Sequence, residues 1–182
     1  MKKSLFITLL LISLGSGASF AQYDTNLAVG LRVGEPLGLN IRKYFQYGDR
    51  AFDLNFGTYG FLYGRDRKYR KGEYQKSGIM LQGIYQFHYS IGKNEGVKVY
   101  YGFGGQLNFR DYVSTPNVIG TRQDGEKHLS LGPAINAGLE YDLPGNNVGI
   151  FLDAGTYIEL LQDPLFIHPL LSTGVRVNLV RR

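Results

Sequence analysis

The sequence predicts an all-β protein, a closed, antiparallel, up-and-down transmembrane β-barrel of about eight strands. Three observations carry this expectation. Apolar residues recur with a period of two in eight separate segments, the mark of strands with two unlike faces. The connections between the segments alternate between short and long. After the N-terminal region no apolar run approaches the roughly 18 residues of a membrane helix, so a bilayer would admit this chain only as a closed barrel.

The segments follow one another in the same style. In residues 27–33, Leu27, Val29, Leu31 and Val33 alternate with Ala28, Gly30 and Arg32, and residues 37–42 repeat the pattern. Residues 52–57 carry it with shifted parity. The fourth strand is expected over 81–89, the fifth over 97–109, the sixth over 129–141 and the seventh over 148–155. The eighth is expected over 171–179, with Arg176 and Asn178 opposite its apolar face.

Alternation alone fits a soluble barrel with apolar residues inside as well as a membrane barrel with apolar residues outside. The fifth and sixth strands are long for a soluble sheet, whose strands usually run to about five or six residues. The polar face is mostly Gly, Ala, Ser, Asn and Gln, which suits a cramped interior better than a solvated surface. Aromatics fall near strand ends: Tyr44, Phe45, Tyr47, Phe87, Tyr89 and Tyr141 at one, Tyr59, Phe61, Tyr63, Phe109, Tyr112 and Tyr157 at the other. This predicts two interfacial girdles, made of Tyr and Phe because Trp is absent.

The connections give an orientation. Residues 46–49, 90–96 and 142–147 are short turns, whereas 60–78, 110–127 and 160–169 are long loops. Short periplasmic turns and long outer loops are the usual outer-membrane arrangement. The turn at Gly34-Glu35-Pro36 is an unusually tight outer one.

Ahead of the barrel, Lys2 and Lys3 precede an apolar run over residues 5–14, and Ser19-Phe20-Ala21 offers a small-x-small cleavage site. The run is far short of the roughly 20 residues of a span, so residues 1–21 read as a cleaved signal peptide and 22–182 as the barrel domain. Gln22 after the cut excludes an N-terminal lipid anchor. The absence of Cys excludes disulfides and a cysteine zinc site. The formal charge of +5 includes the two leader lysines. The remaining basic residues are dispersed apart from Arg65, Arg67, Lys68, Arg70 and Lys71, so nucleic acid is not an expected partner.

By this pattern, across nearly the whole mature sequence, the chain resembles the small outer-membrane β-barrel superfamily that includes the OmpA membrane domain. The resemblance implies a monomeric barrel in contact with outer-membrane lipid and lipopolysaccharide, inserted by the barrel-assembly machinery. Many members end on an aromatic residue read by that machinery, whereas this chain ends Asn178-Leu179-Val180-Arg181-Arg182.

With apolar residues facing lipid, the inward set includes Arg32, Arg42, Asp53, Lys98, Glu140, Asp153, Glu159 and Arg176. The 46–49 turn aligns Arg42 with Asp53, and Asp153 and Arg176 are expected at similar depth on neighbouring strands. Buried charges need partners, so these four are expected as lumen ion pairs and the lumen as a plug rather than a pore. One catalytic constellation is conceivable: His128 and Ser130 share a face, and the 142–147 turn would bring Glu159 opposite Ser130 at the outer rim, a Ser/His/acid arrangement. His-x-Ser also resembles the signature of outer-membrane lipid A deacylases. Against it, these side chains point to the lumen, away from acyl chains.

His88 is expected inside near the periplasmic end, and His168 in the last outer loop; three dispersed His make a metal site unexpected. Gly102, Gly104 and Gly105 lie mid-strand without a phosphate-loop Lys, so they read as barrel curvature. No cofactor is expected. The leading expectation is a non-enzymatic barrel with a structural or surface-interaction role. The alternatives are a barrel-embedded lipid A-modifying hydrolase and a soluble periplasmic barrel around an apolar ligand.

Overall fold

A computed structural model describes residues 27–60, 68–69, 72–74, 77–91, 96–114, 126–143, 147–161 and 164–179. Eight strands form the barrel: β1 (Leu27–Glu35), β2 (Leu37–Phe45), β3 (Arg50–Tyr59), β4 (Gly78–Ser90), β5 (Val97–Ser114), β6 (Glu126–Asp142), β7 (Val148–Glu159) and β8 (Phe166–Asn178). Each pairs antiparallel with its neighbours in sequence, and β1 pairs with β8 to close the sheet. Closure removes the unpaired edge that an open sheet would present. Two short strands, Lys68–Tyr69 and Gly72–Tyr74, pair with each other, and the second lies against the outer end of β5.

The alternation resolves in one direction. Leu31 is 64 % exposed and the adjacent Arg32 only 3 %. The same holds around the wall, where Leu39, Phe56, Phe103, Ile135, Leu152 and Val175 face outward. Asn40, Asn55, Gln82, Gln106 and Arg176 face the lumen and are buried. This is the sidedness of a barrel solvated by lipid. A soluble barrel with an apolar ligand cavity needs the reverse, so that alternative is set aside.

Several boundaries differ from the expected ones. Strands β5 and β6 continue to Ser114 and back from Glu126, beyond the last clear alternation at Phe109. Strand β7 runs on to Glu159, and β8 begins at Phe166 instead of near 171. Above the apolar belt a hairpin no longer needs one oily face, so its ladder continues where periodicity gives no signal. The tight turn after β1 is retained, with a cis Glu35–Pro36 peptide, and it leaves the strand count at eight.

The β6–β7 turn also shifts. Asp142 pairs with Gly149 rather than with Asn147, because Leu143 N donates to Val148 O at 2.9 Å and prolongs the ladder. A shift of two residues keeps every side chain on its face but changes its depth.

The aromatic girdles are partly corrected. Tyr44, Tyr59 and Tyr157 are buried in the lumen, since their strand parity points them inward. Outward aromatics gather on one side of the wall, where Phe87 stacks on Tyr101 at 5.3 Å and Tyr89 on Tyr101 at 6.1 Å. Phe61 and Tyr63 lie outside the described residues, as do residues 1–26, the basic side chains at 65–71, and Val180–Arg182. Nothing is described of the Tyr112 side chain.

Large lumen side chains fit against glycines. A Cβ on Gly174 would press on the Phe151 ring and on the backbone of Leu31, and one on Gly138 would meet Tyr100 and Asp153. Replacing Gly174 by Leu is therefore expected to destabilise the barrel by about 1–3 kcal/mol, the usual cost of overpacking. Urea unfolding followed by the heat-modifiable gel band of the folded barrel would measure it.

Candidate functional site

The site with the richest chemistry is the polar lumen, whose residues come from all eight strands. In the half nearer the short turns Arg42 lies opposite Asp53, and Arg42 Nε and Nη2 donate to the two Asp53 oxygens at 2.7 and 2.9 Å. Such a two-point Arg–carboxylate pair is the strongest geometry available to these groups. Arg42 Nη1 also donates to Glu140 Oε2 and, at 3.1 Å, to His88 Nε2. Glu140 accepts from Tyr44 OH and from Arg176 Nη1, the latter at 2.8 Å. Arg176 Nη2 stands 3.6 Å from Asp53. One network thus joins β2, β3, β4, β6 and β8.

Asp153 and Arg176 are not brought together. The β7–β8 register sets Asp153 opposite Ser172 and Arg176 opposite Gly149, because β7 and β8 pair further outward than their apolar patterns suggest. Asp153 instead pairs with Arg32 of β1 and accepts from Tyr100 OH. Phe151 lies between the cations, with the Arg176 guanidinium 3.6 Å and that of Arg32 5.3 Å from its ring centroid. Lys98 reaches the half-exposed Asp142 at 3.8 Å.

Above this charged layer runs a ladder of side-chain amides. Asn40 donates to Asn55 at 2.7 Å, Asn55 to Gln82 at 3.0 Å, Gln82 to Gln106 at 2.7 Å, and Gln106 to Asn108 at 2.9 Å. Arg176 Nε donates to Asn40 Oδ1 at its head. The signal was present in the turns: the register that aligns Arg42 with Asp53 also aligns Asn40 with Asn55.

The outer half holds Ser130, Tyr157, Glu159, His168, Tyr59 and Arg110. Ser130 Oγ shares a hydrogen bond with Tyr157 OH, whereas Glu159 Oε2 lies 3.7 Å from His168 Nε2. Ser130 and Glu159 are not opposite one another. The shifted β6–β7 register puts Leu160 N on Leu131 O at 3.0 Å, so Glu159 sits nearer the membrane centre than Ser130. Only the backbone of His128 is described, and it pairs with Arg110. His168 is not in a loop; it is an inward residue of β8, stacked on Tyr157 at 5.7 Å and edge-on to Tyr59 at 5.2 Å. Sequence reading missed Tyr44, Tyr59 and Tyr157 as lumen residues because it weighed them as belt markers, and it gave Phe151 no lumen role because the inward set was drawn from charged residues.

Among the described residues no group of three or more His, Asp or Glu is placed to hold a metal ion. Gly102 and Gly104 pack against the β4 backbone within the wall.

The charged network gives a stability test. Arg42→Met leaves Asp53 and Glu140 buried with fewer partners and is expected to cost about 3–5 kcal/mol. Adding Asp53→Leu to it should recover part of that loss. Urea midpoints of the parent, the single and the double variant, in one detergent, would read both effects.

No protein-family model matches the chain, and no curated protein matches it either. Among solved structures, the N-terminal β-barrel domain of Pseudomonas aeruginosa OprF is similar at a TM-score of 0.60 and 14% identity, covering 85% of this chain and 98% of that one. The crystal structure of Ail, the attachment invasion locus protein of Yersinia pestis, is similar at 0.50 and 14%, covering 84% and 93%. At such identities the likeness concerns the fold, and the fold this chain shares with them is the closed eight-stranded antiparallel barrel.

Proposed function

We propose that the chain is an integral outer-membrane barrel with a structural or surface-interaction role and a lumen closed by its own ion pairs. The observation that carries this reading is the Arg42–Asp53–Glu140–Arg176 network, which ties opposite walls together inside an outwardly apolar cylinder. A narrow barrel is filled by its side chains, and here those side chains hold one another. Residues 1–21 are removed on export, so the mature chain begins at Gln22. It inserts as a monomer through the barrel-assembly machinery, surrounded by lipid and lipopolysaccharide. The long outer loops are its surface for partners.

Planar-bilayer recording tests the closed lumen: the parent protein is expected to give no steady current, and a sustained open level would overturn the reading. Fractionation tests the placement. The protein should stay with outer membranes through carbonate washing, and release by carbonate would refute it.

The hydrolase reading draws on Ser130, His128 and Glu159. It is disfavoured because Ser130 is engaged by Tyr157 and Glu159 faces His168, both inside the lumen. Expression of the parent protein is expected to leave lipid A acylation unchanged by mass spectrometry. Deacylation that disappears with Ser130→Ala would instead establish an enzyme.

A further inference from the structure

Among the described side chains, the lipid-facing wall carries almost no charge, and the exception lies at one corner. Among the outward strand positions whose side chains are described, Lys43 and Arg50 are the charged ones. Elsewhere near that end the outward positions are apolar or aromatic, for example Leu27, Val99, Tyr141, Val148 and Val177. Lys43 pairs with Phe52 and Arg50 with Phe45. The two cations are therefore diagonal neighbours on β2 and β3, with Cα atoms roughly 7–8 Å apart. Side chains of that length can both reach one anion across such a gap.

Their setting is that of a membrane interface. The corner lies beside the short turn at Gln46–Gly48, at the end of the barrel opposite the long connections. Phe52 stands level with Lys43, and Ile41 and Leu54 lie one step further towards the membrane centre, all three exposed on the apolar belt. The Arg50 guanidinium lies 4.4 Å from the Phe87 ring centroid, and Phe87 is itself stacked on Tyr101. Stacking holds the guanidinium by its face and leaves edge N–H groups for an acceptor. One of them, Nη1, reaches Asp49 O at 3.3 Å.

A charged side chain on a lipid-facing wall is tolerated near the interface and penalised at the midplane. Arg and Lys stems lie along apolar surface while their heads seek the polar layer. What that layer offers on the periplasmic side is the phosphate of a glycerophospholipid. We infer that Lys43 and Arg50, on the outward face of the β2–β3 corner, form a headgroup site for an anionic phospholipid of the inner leaflet, whose acyl chains lie against Ile41, Phe52 and Leu54. The inference rests on the outer-membrane placement above and on the turn side being periplasmic.

Native mass spectrometry of the folded barrel, released from micelles containing equal amounts of phosphatidylglycerol and phosphatidylcholine, tests it. The parent protein is expected to retain phosphatidylglycerol preferentially. Each cation near an anionic surface is worth about a fivefold change in retention. Lys43→Gln or Arg50→Gln should therefore lower the preference about fivefold, and the double variant by about 25-fold. Arg50→Lys should keep most of it. No preference in the parent, or a preference unchanged in the double variant, would overturn the site. In a second set of micelles holding equal amounts of phosphatidylglycerol and lipid A, stronger retention of lipid A would also overturn it, because lipid A belongs to the other leaflet. Heat-modifiable mobility of each variant checks that it has folded. Carbonate extraction of the parent separates the two failures: a protein that resists it but shows no lipid preference lacks this site while remaining a membrane barrel.

Discussion

A charge inside a narrow barrel has no bulk water to turn to, so each must be met by a partner from another part of the wall. That constraint organises the lumen. Glu140 of β6 is met by Arg42 and Tyr44 of β2 and by Arg176 of β8, and Asp53 by Arg42 and Arg176. The Arg42–Asp53 pair joins neighbouring strands, whereas the contacts of Glu140 with β2 and β8 and of Asp53 with Arg176 cross the interior. Ladder hydrogen bonds fix each strand against its neighbours, while the charged network fixes walls that do not touch. The same groups that would make the interior hydrophilic enough for a pore are those that fill it.

Filling depends on unequal side-chain sizes. Arg32, Arg42, Tyr100, Phe151 and Arg176 could not all point into a narrow cylinder if every inward neighbour carried a Cβ. Gly138 and Gly174 give up that volume to Tyr100 and Phe151, and Phe151 in turn offers its ring face to Arg176 and Arg32. Phe151 therefore works as a polar partner as much as an apolar one, because the negative face of its ring attracts guanidinium groups. A high glycine content and inward aromatics are two sides of one packing solution.

Much of the fold was legible because a two-residue period states both that a segment is a strand and which residues share a face. Arg42 and Asp53 could be aligned because the turn between β2 and β3 is short and its ladder regular. Depth elsewhere was harder to read. The β6–β7 turn moved by two residues, which preserved every face but separated Ser130 from Glu159. The early start of β8 lifted His168 out of an expected loop and changed the level at which Asp153 meets its neighbours. Parity is a local property of the chain, whereas depth accumulates through each turn's hydrogen bonds. Tyr44 and Tyr157 were misplaced for another reason: an aromatic near a strand end suits a membrane interface or a lumen mouth, and only parity separates the two.

The amide ladder sits between two unlike halves of the lumen. Each member from Asn40 to Gln106 donates to the next, so the run has a direction, and it begins on the Arg176 guanidinium. A cation at the acceptor end polarises the first amide in the sense that the rest follow, and such alignment strengthens each bond. The ladder thereby couples the charged half to β2, β3, β4 and β5 without adding further charge. Beyond it, in the outer half, Ser130 and Tyr157 form a hydroxyl pair, an imidazole faces Glu159, and the Arg110 guanidinium lies against the Tyr59 ring. Hydroxyl and imidazole contacts are weaker and more easily rearranged than two-point arginine pairs. Of the described lumen contacts, the two-point Arg42–Asp53 pair is therefore the one that holds its partners most firmly.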